Sequence, residues 1–96
     1  MRLAIPEALH ARFLERMAER VVTLRGTATD LERGAEPRAS LERQLHSIAG
    51  IAGTYGLDAL TELARDAEER CRAGASAEEV RGAVAQVIAA APQPPR

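Results

Sequence analysis

Residues 40–57, with the sequence SLERQLHSIAGIAGTYGL, contain the pattern that decides the fold of this chain. Apolar residues spaced by three or four positions share one face of a helix. In this stretch they are Leu41, Leu45, Ile48 and Ala52. Ser40 is a suitable N-cap, and Gly53 and Gly56 mark the predicted end of the helix. The stretch therefore predicts an amphipathic helix that buries one face.

Three other segments have the same helical periodicity. The first runs over Pro6–Arg33 and the third over Leu57–Arg72. The fourth follows Ser76, which forms the S-x-x-E spacing of a capping box with Glu79, and stops before Pro92. The predicted core positions of these helices are Leu9, Phe13, Met17, Val21, Leu24, Ala28, Leu31, Leu57, Leu60, Ala64, Ala67, Cys71, Val80, Val84, Val87 and Ala91.

Short connections join the four predicted helices. Gly34 and the segment Glu36-Pro37-Arg38 separate the first two helices, and Gly74 ends the third. Amphipathic helices with short loops favour an all-α fold, an antiparallel up-and-down four-helix bundle. We expect residues 1–91 to form this single domain and residues 92–96, with the sequence PQPPR, to be a flexible proline-rich tail.

The composition excludes several classes of function. The 13 basic residues are all arginine and are balanced by 14 acidic residues, so the basic excess typical of a nucleic-acid-binding protein is missing. No apolar run approaches the roughly 18 residues that would span a bilayer. The single cysteine, Cys71, cannot form an internal disulfide or a cysteine zinc site. We expect a cytoplasmic monomer that binds neither nucleic acid nor membrane, and no metal site.

The second helix has an unusual solvent-facing strip next to its only histidine. His46 lies about 130° away from the apolar stripe and is followed by Ala49, Gly50 and Gly53, which have almost no side chain. A glycine inside a helix costs about 1 kcal/mol relative to alanine. Either these glycines let a neighbouring helix pack closely, with His46 an ordinary surface residue, or they let another molecule approach the helix backbone.

A polar stripe on the third helix faces the same region. It consists of Thr61, Arg65, Glu68 and Arg72, spaced by four, three and four residues. Because the turn between the second and third helices is short, these helices lie side by side and the stripe can reach His46. The alternative is a solvated face held by ion pairs along one helix.

The segment from Leu45 to Leu57 resembles the signature of histidine phosphotransfer (HPt) domains, including those of chemotaxis-type histidine kinases. That signature is roughly H-x-[LI]-K-G-x-[AS]-G-x-x-G. The residues that match it are His46, Ile48, Gly50, Ala52, Gly53 and Gly56. The long first helix and the residues Leu60, Leu63, Ala64 and Glu68 also fit the family.

The resemblance implies a role for each residue of the site. His46 would accept a phosphoryl group from a receiver aspartate or a kinase, and Glu68 would hydrogen-bond its imidazole. Gly50, with Ala49 and Gly53, would keep the surface open for the receiver domain. The receiver would supply Mg²⁺, so the chain needs no cofactor of its own. Because an imidazole is mostly neutral at pH 7, such a residue has a free lone pair for the reaction.

The sequence departs from the family at one position that matters for the chemistry. The family's usual lysine is replaced by Ala49, and the chain has no lysine that could replace it. Any positive charge for the phosphoryl group must come from an arginine or from the partner. Arg65, one turn before Glu68, is the favoured candidate and Arg43 the weaker one. We expect Arg65→Ala to slow transfer without unfolding the protein.

The sequence therefore predicts a phosphotransfer module of a two-component phosphorelay, with no kinase activity of its own. Its partners would be a receiver domain, free or in a hybrid kinase, and a histidine kinase. The first alternative is an adaptor that docks receivers without being phosphorylated, which only Ala49 favours. The second is the detached phosphotransfer domain of a larger chemotaxis-type kinase. A purely structural bundle would leave the glycines unexplained.

Overall fold

The computed structural model of the protein describes residues 7–93, with side chains from residue 10 onward. Four helices make up the fold: α1 (Glu7–Thr29), α2 (Ala35–Thr54), α3 (Asp58–Arg72) and α4 (Ala77–Ala90), with a 3₁₀ turn at Leu31–Arg33. Each helix packs on the next, and α1 closes against α4. No strand occurs in this described part. The predicted all-α antiparallel four-helix bundle is confirmed.

The apolar stripes form one continuous core. Every core position predicted from residue 13 onward is buried except Leu57, which is only partly buried but packs against the core. Leu14, Ala49 and Ala83 are also buried, although the sequence did not mark them as core. The predicted core position Leu9 lies outside the described side chains. The stripes thus fix which face of each helix points inward and leave His46 on the outside.

The boundary between the first two helices differs from the prediction. α1 ends at Thr29 and gives way to the 3₁₀ turn, so the predicted end at Arg33 is wrong. α2 begins at Ala35, so Ser40 is not its N-cap and residues 36–38 are not a connection. Gly34 reverses the chain direction with φ of 132°. Pro37 fits the first turn because the first N–H groups of a helix have no acceptor within it.

The turns after α2 and α3 were predicted correctly. Gly56 and Gly74 have φ of 71° and 80°, a left-handed conformation that glycine adopts without steric cost. The Leu57 N–H donates to the Ala52 carbonyl at 2.8 Å and so closes the end of α2. Gly53, in contrast, lies inside the last turn of α2 and does not end it.

Only half of the predicted capping box forms at the start of α4. Ser76 Oγ accepts a hydrogen bond from the Glu79 N–H at 3.1 Å, as expected. The Glu79 carboxylate instead pairs with Arg70 Nη1 of α3 at 3.1 Å. Glu79 therefore links two helices.

The tail prediction is not tested, because residues 94–96 lie outside the described residues.

Two helix ends are satisfied by arginines from other helices. Arg81 of α4 donates to the Ala28 carbonyl at 3.0 Å and the Thr29 carbonyl at 3.5 Å, at the end of α1. Arg38 of α2 donates to the Ala75 carbonyl at 2.8 Å, just beyond α3. Since the last turn of α1 contains no basic residue, Arg81 supplies the positive charge that a helix C-terminus favours.

Replacing Arg81 with alanine is expected to lower the free energy of unfolding by about 1–2 kcal/mol, because the carbonyls at the end of α1 lose a charged donor. Urea unfolding followed by far-UV circular dichroism measures this loss. Arg33→Ala is the matched control, since its side chain is 80% exposed and its ion pair with Asp30 spans 3.5 Å. That control should change the free energy by less than about 0.5 kcal/mol. Equal losses in both variants would contradict the capping role of Arg81.

Candidate functional site

His46 lies on the exposed side of α2 with its ring directed at α3. Its Nδ1 is 3.0 Å from Glu68 Oε2, across the interface between the two helices. The His46 side chain is 79% exposed and that of Glu68 only 10%. Because an ionised carboxylate can only accept hydrogen bonds, Nδ1 carries the hydrogen in this contact. The other ring nitrogen, Nε2, forms no hydrogen bond within the described residues.

Glu68 is a nearly buried carboxylate, which requires compensation by hydrogen bonds or charge. The same oxygen, Oε2, also accepts a hydrogen bond from Arg72 Nη2 at 2.9 Å. Glu68 and Arg72 are four residues apart on α3, a spacing that places them on the same side of the helix. The carboxylate is thus held between the histidine of α2 and the arginine of its own helix.

Arg72 also contacts two further carboxylates. Its Nη1 donates to Glu69 Oε2 at 2.9 Å, and its Nε lies 3.5 Å from Glu42 Oε1 of α2. Desolvation lowers the pKa of Arg72, but attraction to Glu42, Glu68 and Glu69 outweighs it, and the net pKa is raised above the ordinary value. The guanidinium therefore stays charged at every pH at which the protein is folded.

The two arginines named from the sequence lie in different places. Arg65 borders an open concavity of about 540 Å³ on α2 and α3. It forms no ion pair within residues 7–93. Arg43 is not among the residues that line this concavity and instead lies 3.5 Å from Glu36 in the first turn of α2. The lining residues are His46, Ala49, Gly50, Arg65, Glu68, Glu69 and Arg72.

The small residues after His46 are not equivalent. Gly50 is exposed, and a Cβ added there would meet no described atom within 4 Å. At Gly53 an added Cβ would lie 3.9 Å from Thr61 Oγ1, an ordinary van der Waals distance. Close helix packing therefore explains neither glycine. Ala49 was expected on the solvent-facing strip, but it is only 3% exposed and belongs to the buried core, so that expectation is wrong.

The other histidine and the single cysteine of the chain are not among the residues that line this concavity. Cys71 is buried, as predicted, and burial raises the pKa of its thiol while nearby Arg38 lowers it less strongly. His10 is exposed on α1, with its ring centroid 6.3 Å from that of Phe13. In the described part of the chain, no three histidine, cysteine or acidic residues cluster as metal ligands. No helix there is long and apolar enough to cross a bilayer.

The sequence did not predict that Arg72 holds Glu68 or that Glu42 joins them. Arg72 was placed on the polar stripe of α3, and Glu42 was not singled out. A signal was present, since Glu42 precedes His46 by four residues and Arg72 follows Glu68 by four. Two such pairs on neighbouring helices form one network only if the axial register between the helices places the pairs next to each other.

Comparison with known proteins gives one finding. A family model described as the Hpt domain matches residues 8–92, nearly the whole chain. Searches of curated proteins and of solved structures found no match. The match spans all four helices, including the histidine and glycines of α2 and the glutamate of α3. The chain therefore belongs to the Hpt family, the histidine phosphotransfer domains that act in phosphorelays.

Proposed function

We propose that the protein carries a phosphoryl group on His46 and exchanges it with the aspartate of a receiver domain. The observation that carries this proposal is the His46–Glu68 pair, with Nδ1 at 3.0 Å from the carboxylate and an imidazole that is 79% exposed. A nucleophile in a phosphorelay must be both oriented and reachable by a partner protein. This histidine meets both requirements.

The transfer step follows from the geometry of the pair. The lone pair of Nε2 attacks the phosphorus of the receiver's aspartyl phosphate, the N–P bond forms, and the bond from phosphorus to the aspartate oxygen breaks. The aspartate leaves as a carboxylate. The imidazole keeps its hydrogen on Nδ1, and the positive charge that develops on the ring faces the Glu68 carboxylate. An acid that holds a histidine tautomer in this way is familiar from catalytic triads.

Arg65 is our candidate for the cation that faces the phosphoryl oxygens. Phosphoryl transfer depends on positive charge near the equatorial oxygens, and the family's lysine is absent here. Arg65 lines the same concavity as His46 and forms no ion pair with a carboxylate in the described residues. Arg43 is less suited because it lies beside Glu36, away from the concavity.

Gly50 and Gly53 support a docking role for the surface beside His46. Since an added side chain at either position would meet open space or ordinary contact, the bundle itself does not need glycine there. Glycine in a helix that packing does not require is consistent with the close approach of another molecule. We propose that a receiver domain covers this part of α2 and α3 and brings its own Mg²⁺. A histidine kinase is the other proposed source of phosphoryl groups.

A labelling experiment tests this proposal. A panel of receiver domains is charged with radioactive acetyl phosphate, freed of excess donor and mixed with the protein. We expect label on the protein that is lost in acid and retained in base, the stability of phosphohistidine. Absence of label with every receiver and with partner kinases would refute phosphotransfer. Receiver binding without label would instead identify an adaptor, the function that the missing lysine favours.

A further inference from the structure

Four charged or titratable side chains form one connected network across α2 and α3. Glu42 and His46 are four residues apart on α2, and Glu68 and Arg72 are four apart on α3. His46 contacts Glu68 across the interface at 3.0 Å, and Arg72 contacts Glu42 across it at 3.5 Å. Glu68 and Arg72 join at 2.9 Å along α3. The contacts therefore run from His46 on α2 through Glu68 and Arg72 on α3 to Glu42 on α2.

The carboxylate at the centre of this network needs a fixed orientation. Glu68 has several rotatable bonds, and holding a long side chain in one rotamer costs conformational entropy. His46 supplies one contact to this carboxylate, from a side chain that is 79% exposed. Arg72 donates to the same oxygen that His46 contacts. A charge-assisted hydrogen bond of this kind is about twice as strong as a neutral one.

The guanidinium of Arg72 is itself held from three sides. Besides Glu68, its nitrogens face Glu69 at 2.9 Å and Glu42 at 3.5 Å. A rigid fork whose donors point at three carboxylates is not free to turn toward a phosphoryl group. Arg65 borders the same concavity without such partners in the described residues. The two arginines are therefore suited to different tasks.

We propose, on the basis of the function proposed above, that Arg72 is a positioning residue for phosphotransfer. Arg72 holds Glu68 so that its Oε2 accepts the hydrogen of His46 Nδ1, and this keeps the lone pair on Nε2 toward the partner. Arg72 does not contact the phosphoryl group. Its effect on the reaction passes through Glu68 and the tautomer of His46.

The proposal is tested by ¹⁵N NMR of the histidine rings, because the ¹⁵N shifts show which ring nitrogen carries the hydrogen in the neutral form. In the wild type we expect the Nδ1–H form of His46 to predominate. In Arg72→Ala we expect its fraction to fall toward that of an isolated histidine. The rate of phosphoryl transfer should fall about tenfold, the lower end of the loss seen when a residue that orients a metal-ligating histidine is removed. Arg72→Gln is the second variant if the alanine variant does not fold.

Arg70→Ala is the matched control. Arg70 is on the same helix but pairs with Asp66 and Glu79, away from His46. We expect it to leave the tautomer and the transfer rate unchanged. An unaltered His46 tautomer in the folded Arg72 variant would overturn the proposal, whatever the rate. Wild-type protein that accepts no phosphoryl group would refute the proposed function instead, and the NMR measurement, which needs no transfer, would still test Arg72.

Discussion

His46→Gln is expected to reduce phosphoryl labelling of the protein to background. A glutamine amide has no basic lone pair for attack on phosphorus, so the N–P bond cannot form. The variant should fold normally, because the His46 side chain is 79% exposed and its main contact within the chain is with Glu68. The glutamine side chain can still donate a hydrogen bond toward Glu68, so the loss of label would reflect the missing nucleophile and not an unpaired carboxylate.

His10→Gln is the control for this substitution. His10 is the only other histidine of the chain and lies exposed on α1. Its replacement should leave the amount and the acid lability of the label unchanged. If label with the stability of phosphohistidine survives in His46→Gln and disappears in His10→Gln, the acceptor has been misassigned. The same charged receiver domain, one that labels the wild-type protein, serves as donor for both variants.

Leu45→Ala is expected to destabilise the protein more than Arg81→Ala. Leu45 is completely buried, immediately before His46, in the face of α2 that packs on the core. Leucine-to-alanine substitutions at such positions cost about 2–5 kcal/mol, from lost burial and from the cavity left behind. Since a domain of this kind has only about 5–15 kcal/mol in total, the loss is a large share of its stability. The melting temperature should fall by at least about 8 °C.

Thermal unfolding followed by circular dichroism measures this change, and Val22→Ala provides the control. Val22 is a large apolar residue on α1 whose side chain faces solvent, with 67% of its surface exposed. Truncation there removes no core contact and should alter the free energy of unfolding by less than about 0.5 kcal/mol. A melting temperature for Leu45→Ala within about 2–4 °C of the wild type, the shift that 0.5 kcal/mol produces in a domain of this size, would contradict the assigned core face of α2.

Much of the fold follows from local sequence patterns. The apolar positions repeat at helical spacing over long segments, and Gly56 and Gly74 occupy left-handed turns that favour glycine. These signals depend on neighbours along the chain, so one sequence suffices to interpret them. The start of α2 was misplaced because Pro37 was taken as part of a connection. Proline is equally compatible with a first helical turn, and the choice depended on Gly34 and on packing.

The candidate site was only partly predictable for a similar reason. His46, Gly50 and Glu68 stood out because the sequence resembles a known signature, and the structure places His46 and Glu68 within hydrogen-bonding distance. Their catalytic and docking roles remain predictions. Ala49 was expected to be exposed, but its angle on the helix wheel did not reveal that the folded protein buries it. The burial of such a borderline position depends on where the neighbouring helix lies.

The sequence by itself determined that the chain forms four amphipathic helices, which faces they bury, and that one histidine stays outside beside glycines. It also determined that any cation supplied by this chain to the site must be an arginine. Only the tertiary structure decided where each arginine lies and which carboxylates it contacts. The axial register between α2 and α3 brings Arg72 onto Glu68 and Glu42 and leaves Arg65 at the open concavity. That register is set by the packing of side chains from several helices, and no local pattern in the sequence specifies it.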